Sequence, residues 1–285
     1  MHKEIELISF INDRFVPASE ARLPLNDLGF QRGYGIFDFL RVAGSVPLYK
    51  EDHLNRFFHS AREMRLPVNQ TRAELESIID ELIQKNSLPH SGIRIMLSGG
   101  ASPDGFRIVQ PNLAIVQVPI VPPPDEIVLP GYKVVTYPHQ RQMPHIKTTD
   151  YLMAIWLQPW VQAQGADEVL YQQNGMVSEF PRSNFFMVTN EGTLVTPGRN
   201  VLYGVTRKQI LQVAAANGID VSEKDISLTD ISLAKEAFIT SSTKRVIPIR
   251  QLDETIFKPC TSDSVTAKLF RLLQQHEITT AAQAH

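Results

Sequence analysis

Apolar and polar positions change rhythm several times along the chain. Ile5, Leu7, Ser9 and Ile11 alternate with Glu6, Ile8 and Phe10 as far as Asn12-Asp13-Arg14. That pattern predicts a strand, a turn and a second strand near Phe15-Val16. Over residues 51–66 the spacing turns helical, with Leu54, Phe57, Phe58, Ala61 and Met64 in step and Pro67 just past the end. A second helix opens at Thr71-Arg72-Ala73-Glu74, where the hydroxyl and the carboxylate can each satisfy a free amide. Leu75, Ile78, Ile79, Leu82 and Ile83 give this helix one apolar face.

Strands are predicted at 92–98 and 112–119, separated by a loop rich in Gly, Ser, Pro and Asp. Val121-Pro122-Pro123-Pro124-Asp125 then interrupts the pattern, because a triple proline is stiff and cannot sit inside a sheet ladder. It suggests a first lobe over 1–120, a linker over 121–131 and a second lobe over 132–285. In the second lobe, strands at 132–137 and 168–172 flank a helix at about 150–164. A hairpin follows, its strands 185–189 and 193–196 joined at Asn190-Glu191-Gly192. Residues 206–217 read as a helix closed by Asn217-Gly218, and 262–275 as the last helix. Hairpins with segregated helices predict two α+β lobes rather than a doubly wound parallel sheet.

Composition narrows the function by exclusion. The 285 residues carry 28 basic and 30 acidic side chains, a net charge of -2, which leaves no basic footprint for nucleic acid and no polybasic lipid anchor. A single cysteine, Cys260, rules out an internal disulfide and a thiolate zinc cage. Acids interrupt the apolar run of MHKEIELISF, and no stretch reaches the length of a membrane span. The expectation is a soluble cytoplasmic protein.

Familiar catalytic motifs are missing: there is no P-loop lysine, no dinucleotide glycine fingerprint and no nucleophile elbow. His53 and His59 are six apart on a helix, hence on different faces and a poor metal site, and no metal is expected. Gly204-Val205-Thr206-Arg207 at a helix start offers free amides, a glycine for close approach and a hydroxyl, the parts of an anion site. Taken alone, the same segment also reads as a plain threonine N-cap. Arg56 beside the first helix's apolar stripe and the polar turn Ser241-Ser242-Thr243 would complete a phosphate cradle. Lys147, ahead of the helix start Asp150-Tyr151-Leu152, is either a solvated charge or an amine whose apolar setting suits a Schiff base. Glu179 is either a solvated hairpin residue or a buried acid with a cationic partner.

In order, these segments resemble the class IV, or fold-type IV, aminotransferases, which depend on pyridoxal phosphate (PLP). Arg32-Gly33-Tyr34-Gly35-Ile36-Phe37-Asp38, His53-Leu54-Asn55-Arg56, Ile146-Lys147, Val177-Ser178-Glu179, Ser183-Asn184-Phe185-Phe186 and Leu202-Tyr203-Gly204-Val205-Thr206-Arg207 carry the resemblance. It implies an α+β two-lobed fold-type IV architecture and a homodimer. It also implies that Lys147 bonds the cofactor and that Glu179 pairs with its pyridine nitrogen. By the same resemblance Arg56, Gly204, Val205, Thr206, Ser242 and Thr243 cradle the phosphate, Leu202 packs under the ring and Tyr151 lies near the cofactor hydroxyl.

Departures from the family bear on the substrate. Asp27-Leu28-Gly29 stands where Asp-Arg-Gly is common, and Arg32 where an aromatic is common. The arginine and histidine that D-amino acid aminotransferases of the familiar type use for the substrate carboxylate are missing from Gly99-Gly100-Ala101-Ser102-Pro103-Asp104. Arg32 and Arg94 are expected to replace them, the alternative being that both are structural ion-pair partners. Phe37 joins them on the substrate side. Arg182 either caps the pocket or is a solvated loop charge, and nothing in the sequence accounts for Arg245. The expectation is transamination of a D-amino acid with 2-oxoglutarate, followed by L-branched-chain transamination and then aminodeoxychorismate lyase activity. A non-catalytic PLP-binding protein is the reading from another class.

Overall fold

The computed structural model describes residues 6–283 and divides into two compact units. Among the described residues, unit 1 comprises the chain as far as Pro122, Ile146–Asp150 and Gln283, and unit 2 comprises Pro123–His145 and Tyr151–Ala282.

Unit 1 is built on strands β1 (Ile8–Ile11), β2 (Arg14–Pro17), β3 (Gly35–Ala43), β4 (Val46–Pro47), β5 (His90–Ser98) and β6 (Asn112–Pro119). Their order in the sheet is β2-β1-β6-β5-β3-β4, and every pairing is antiparallel. The helices are α1 (Leu28–Arg32), α2 (Lys50–Glu63) and α3 (Arg72–Asn86). The expected strand pair at the start is present, although Ile5 lies outside the described residues. The capping box on α3 is present as well. α2 stops at Glu63, and the left-handed Arg65 (φ 53°) turns the chain toward Pro67.

One face of the sheet is the core. Ile36, Leu40, Ile93, Ile95, Leu97 and Ile115 pack there against Leu54 and Phe57 of α2 and Leu75, Ile79 and Leu82 of α3. β3 carries one acid, Asp38, into this apolar row. Phe37 and Phe39 point to the opposite face, because strand side chains alternate.

Unit 2 opens with β7 (Tyr132–Pro138), α4 (Leu152–Trp156), α5 (Gln158–Ala163), β8 (Glu168–Gln173), β9 (Met176–Val177), β10 (Glu179–Phe180), β11 (Ser183–Val188) and β12 (Leu194–Thr196). It continues with α6 (Val205–Ala216), β13 (Val221–Glu223), β14 (Ile226–Ser227), α7 (Leu228–Ser232), β15 (Glu236–Ser241), β16 (Arg245–Leu252), β17 (Thr255–Ile256) and α8 (Val265–Ala282). The main path of the mixed sheet runs β13-β12-β11-β15-β16-β7-β8-β9-β14. Phe186 and Val188 of β11 pack with Ile210 of α6 and Leu269 of α8, while Phe185 and Met187 join a second core on the other face. β11 is therefore buried on both faces, and from Phe185 to Val188 it reads as a continuous apolar run.

Two helices of unit 2 differ from their expected extents, and α8 also runs on to Ala282, past the expected end at 275. The helix expected over 150–164 is two short ones, α4 and α5. Pro159 sits at the start of the second, where a missing N–H is tolerated; one uninterrupted helix would have lost a bond there and crowded the turn before it. α8 begins at Val265 because Glu236 on β15 accepts from the amides of Val265 (3.1 Å) and Thr266 (2.8 Å). A cap supplied from β15 leaves no mark in the local sequence. No helix is long and apolar enough to cross a membrane among the described residues.

Candidate active site

The candidate residues divide between the units. In unit 1, β3 pairs with β5 along its whole length, but with β4 only at Val42 and Ala43. The edge at Gly35–Phe37 is thus open, and the segment 146–149 fills it. Phe37 N–H donates to Lys147 O (3.0 Å), Thr149 N–H to Gly35 O (2.9 Å), and Ile36 bridges Thr148. Lys147 N–H donates to Ser60 Oγ on α2 (3.3 Å). Ile146 is fully buried in the core, and the half-buried Lys147 puts its ammonium 4.5 Å from the Phe37 ring centroid. A loop residue is thereby held by strand-type bonds.

On the core face, Asp38 is fully buried and binds two residues of α2. Arg56 donates to it through Nε (2.8 Å to Oδ2) and Nη2 (2.8 Å to Oδ1), and His53 Nδ1 lies 2.6 Å from Oδ1. Burial alone would raise the Asp38 pKa, but Arg56 and His53 together hold it well below the usual carboxylate range. Burial pushes the His53 pKa down, with Asp38 opposing. The cluster is an ionised acid, an arginine aimed by a bidentate fork and a neutral imidazole. No Asp38 or His53 role was read from the sequence. The available signal was an acid between Ile36 and Leu40 on a strand's apolar face, which needs a cation, with His53 and Arg56 three apart on the next helix.

In unit 2, Glu179 is buried, and Arg141 Nη1 donates to its Oε1 at 2.8 Å. The Leu202 amide donates to Oε2 at 2.9 Å. Glu179 faces Asn184 across the β10–β11 pair, and Asn184 Nδ2 donates to Leu202 O at 2.8 Å. Both backbone polar groups of Leu202 are thus pinned by one cross-strand pair. Of the two readings of Glu179, the structure holds the buried acid with a cationic partner. Arg141 and Asn184 escaped the sequence reading as functional residues, because nothing local ties position 141 to 179.

α6 is capped by Gly204, which provides no side-chain hydrogen bond to the helix. Thr206 is therefore not the N-cap, and the plain-cap reading does not hold. Its hydroxyl lies 3.4 Å from Ser242 Oγ. A Cβ at Gly204 would fall 2.1 Å from Asn184 Oδ1, so only glycine fits this approach. Nearby in sequence, the buried hydroxyls of Thr240 and Ser241 have no partner among the described residues. Uncapped amides, two converging hydroxyls and unsatisfied ones suit an anion with several acceptor oxygens.

The remaining candidates are more dispersed. Tyr151 is the half-buried residue preceding α4, and Thr243 is exposed in the β15–β16 turn. Arg32 is exposed and lies over the Phe106 ring at 5.3 Å. Arg94 is exposed and lies over Phe39 at 5.9 Å. The register pairs Phe37 with Met96 and Phe39 with Arg94, so Arg94 shares the sheet face on which Lys147 meets Phe37. Arg182 is exposed in the β10–β11 turn. Arg245 now has an account: Glu277 (2.8 Å) and Pro124 O (2.8 Å) hold its buried guanidinium, tying α8 to the proline segment. No group of histidine, cysteine and acidic residues suited to a metal occurs among the described residues.

Residues 35–252 match the family model for class IV amino-transferases, and the chain belongs to that family. It is a PLP-dependent aminotransferase of the α+β, fold-type IV architecture, acting on amino and oxo acids. It is 26% identical over 271 residues to a putative branched-chain-amino-acid aminotransferase of Methanocaldococcus jannaschii, covering 91% of this chain and 93% of that one. It is 27% identical over 247 residues to a D-alanine aminotransferase of Bacillus licheniformis, covering 85% and 87%. The fold matches the branched-chain aminotransferase of Thermoproteus uzoniensis crystallised with norvaline, with a TM-score of 0.87, 24% identity and coverage of 98% and 97%.

Proposed function

We propose that the enzyme transfers the amino group of a D-amino acid to 2-oxoglutarate. In this reading Lys147 bonds the cofactor, Glu179 pairs with its pyridine nitrogen, and Arg56, Gly204, Val205, Thr206, Ser242 and Thr243 hold its phosphate. Leu202 lies under the ring and Tyr151 serves the cofactor hydroxyl. Bound PLP supplies an electron sink for charge developing at the substrate's α-carbon. Lys147 Nζ holds and returns the α-proton. Asp38 fixes the Arg56 fork, and Asn184 fixes the Leu202 backbone beside Glu179.

The observation that carries the substrate reading is Arg94, a guanidinium on the aromatic sheet face next to the Phe37–Met96 pair. An arginine fork suits a carboxylate, and 2-oxoglutarate carries two. The D-alanine aminotransferase of B. licheniformis supports the D-amino acid assignment. L-branched-chain transamination is the second reading, favoured by the apolar wall of Phe37, Phe39 and Met96 and by the M. jannaschii relative. The same proposal includes Arg32 as a second carboxylate ligand, Arg182 at the pocket mouth, and a cytoplasmic homodimer.

Purified enzyme given D-alanine and, separately, L-leucine, each with 2-oxoglutarate, decides between the readings. Glutamate forms with D-alanine; activity with L-leucine alone overturns the assignment in favour of the second reading. Arg94→Ala and Arg32→Ala each raise the substrate KM about tenfold or more while leaving PLP affinity within about twofold, as loss of a charged hydrogen bond implies. Unchanged kinetics would sink the carboxylate role. Light scattering of the purified enzyme checks the dimer.

A further inference from the structure

The assignment of Glu179 to the pyridine nitrogen leaves open what keeps the shared proton on the ring. A carboxylate in a protein interior gains proton affinity through desolvation, and a proton resting on Glu179 would weaken the ring as an electron sink. Glu179 is buried, so it faces this hazard. Arg141 answers it geometrically. Its guanidinium is itself only 12% exposed and stands 2.8 Å from Oε1, while the Leu202 amide reaches Oε2 at 2.9 Å. Arg141 Nη1 also lies 3.3 Å from Pro144 O, which bends the 141–144 loop onto its own side chain and limits the guanidinium's freedom. Tyr171, a buried phenol, feels both charges; burial, Glu168 and Glu179 push its pKa up, so it remains neutral beside the pair.

We infer that Arg141 is a positioning residue that holds Glu179 ionised, so that the proton between Glu179 and the cofactor's pyridine nitrogen stays on the nitrogen. This rests on the Glu179 reading above and deepens it. Arg141 stabilises the anion and not the neutral acid, so it makes Glu179 a weaker base than burial alone would leave it. The resulting arrangement is a relay of alternating charge, guanidinium to carboxylate to ring.

The test uses the PLP-loaded enzyme carrying cofactor labelled with nitrogen-15 in the ring, read by NMR together with the PLP dissociation constant and kcat. In the native protein the ring nitrogen gives the protonated shift. In Arg141→Met it moves toward the unprotonated shift, and kcat falls about tenfold, as transfer of most of the proton to Glu179 implies. Arg141→Lys restores part of both, since it returns the charge without the fork. If Arg141→Met does not fold, Arg141→Gln and Arg141→Lys are compared in its place. Glu179→Gln separates the two ideas. If its nitrogen signal equals that of the native enzyme, the Glu179 reading fails. If Glu179→Gln shifts the signal but Arg141→Met or its substitute does not, Arg141 merely holds its loop and the present inference is overturned.

Discussion

Unit 1 and unit 2 each bury an arginine–carboxylate pair, and the two are built differently. In Asp38–Arg56 the side chains are 0% and 11% exposed, and in Glu179–Arg141 they are 5% and 12%. Burial is therefore alike. Asp38 receives both arms of the Arg56 fork and a histidine from the same helix. Glu179 is held from two separate loops, by Arg141 Nη1 and by the Leu202 amide. The first arrangement saturates the acid and leaves Arg56 Nη1 without a hydrogen bond among the described residues. On the proposed reading, that free Nη1 is what Arg56 offers the cofactor phosphate. In the second, on the proposed reading, the acid is the working group and the arginine its support.

The largest expected effect falls on neither pair but on Lys147. Lys147→Ala lowers transamination by about ten-thousand-fold, and the preparation loses the visible absorbance that borohydride otherwise bleaches. A variant that keeps the band and its rate would remove Lys147 from the chemistry.

The next effect breaks the unit 1 pair. Asp38→Asn leaves Arg56 and His53 without their anion and costs about 3–5 kcal/mol at pH 7, read as the urea midpoint. The pH dependence has a definite sign. The folded Asp38 pKa lies below the ordinary aspartate value of 3.8, so its contribution is complete above that value and fades as pH falls toward the folded one. Native stability therefore drops below about pH 4 more steeply than that of Asp38→Asn. Parallel curves would show that Asp38 is not held as an anion.

The same contrast explains what the sequence could reveal. The strand pair at the start, both early helices, the α3 capping box and the hairpin at 183–196 all follow from short-range pattern. Lys147, Glu179 and Arg56 stood out because they lie in motif segments. Arg141 and the Glu236 cap of α8 did not, since each acts on residues 29 or more positions away. β3 was hidden for a different reason: Asp38 interrupts its apolar row, and the buried acid is answered by Arg56 and His53 from α2. The broken helix at Pro159 was visible in composition but outweighed by the helical spacing on both sides.

The smallest effect sharpens the comparison at the phosphate. If Arg56 supplies the charge and unit 2 supplies neutral donors, then Thr206→Val and Ser242→Ala each weaken PLP binding by about five- to tenfold, one ordinary hydrogen bond apiece. Their hydroxyls are 3.4 Å apart, so the double variant falls short of the product of the two. Equilibrium dialysis of PLP measures this. Thermal stability without PLP should barely change, because Thr206 is not the cap of α6 and the helix start does not depend on its hydroxyl. A drop in apoenzyme Tm of several degrees would instead mean that these hydroxyls hold the fold, leaving Arg56 and the α6 amides to bind the phosphate.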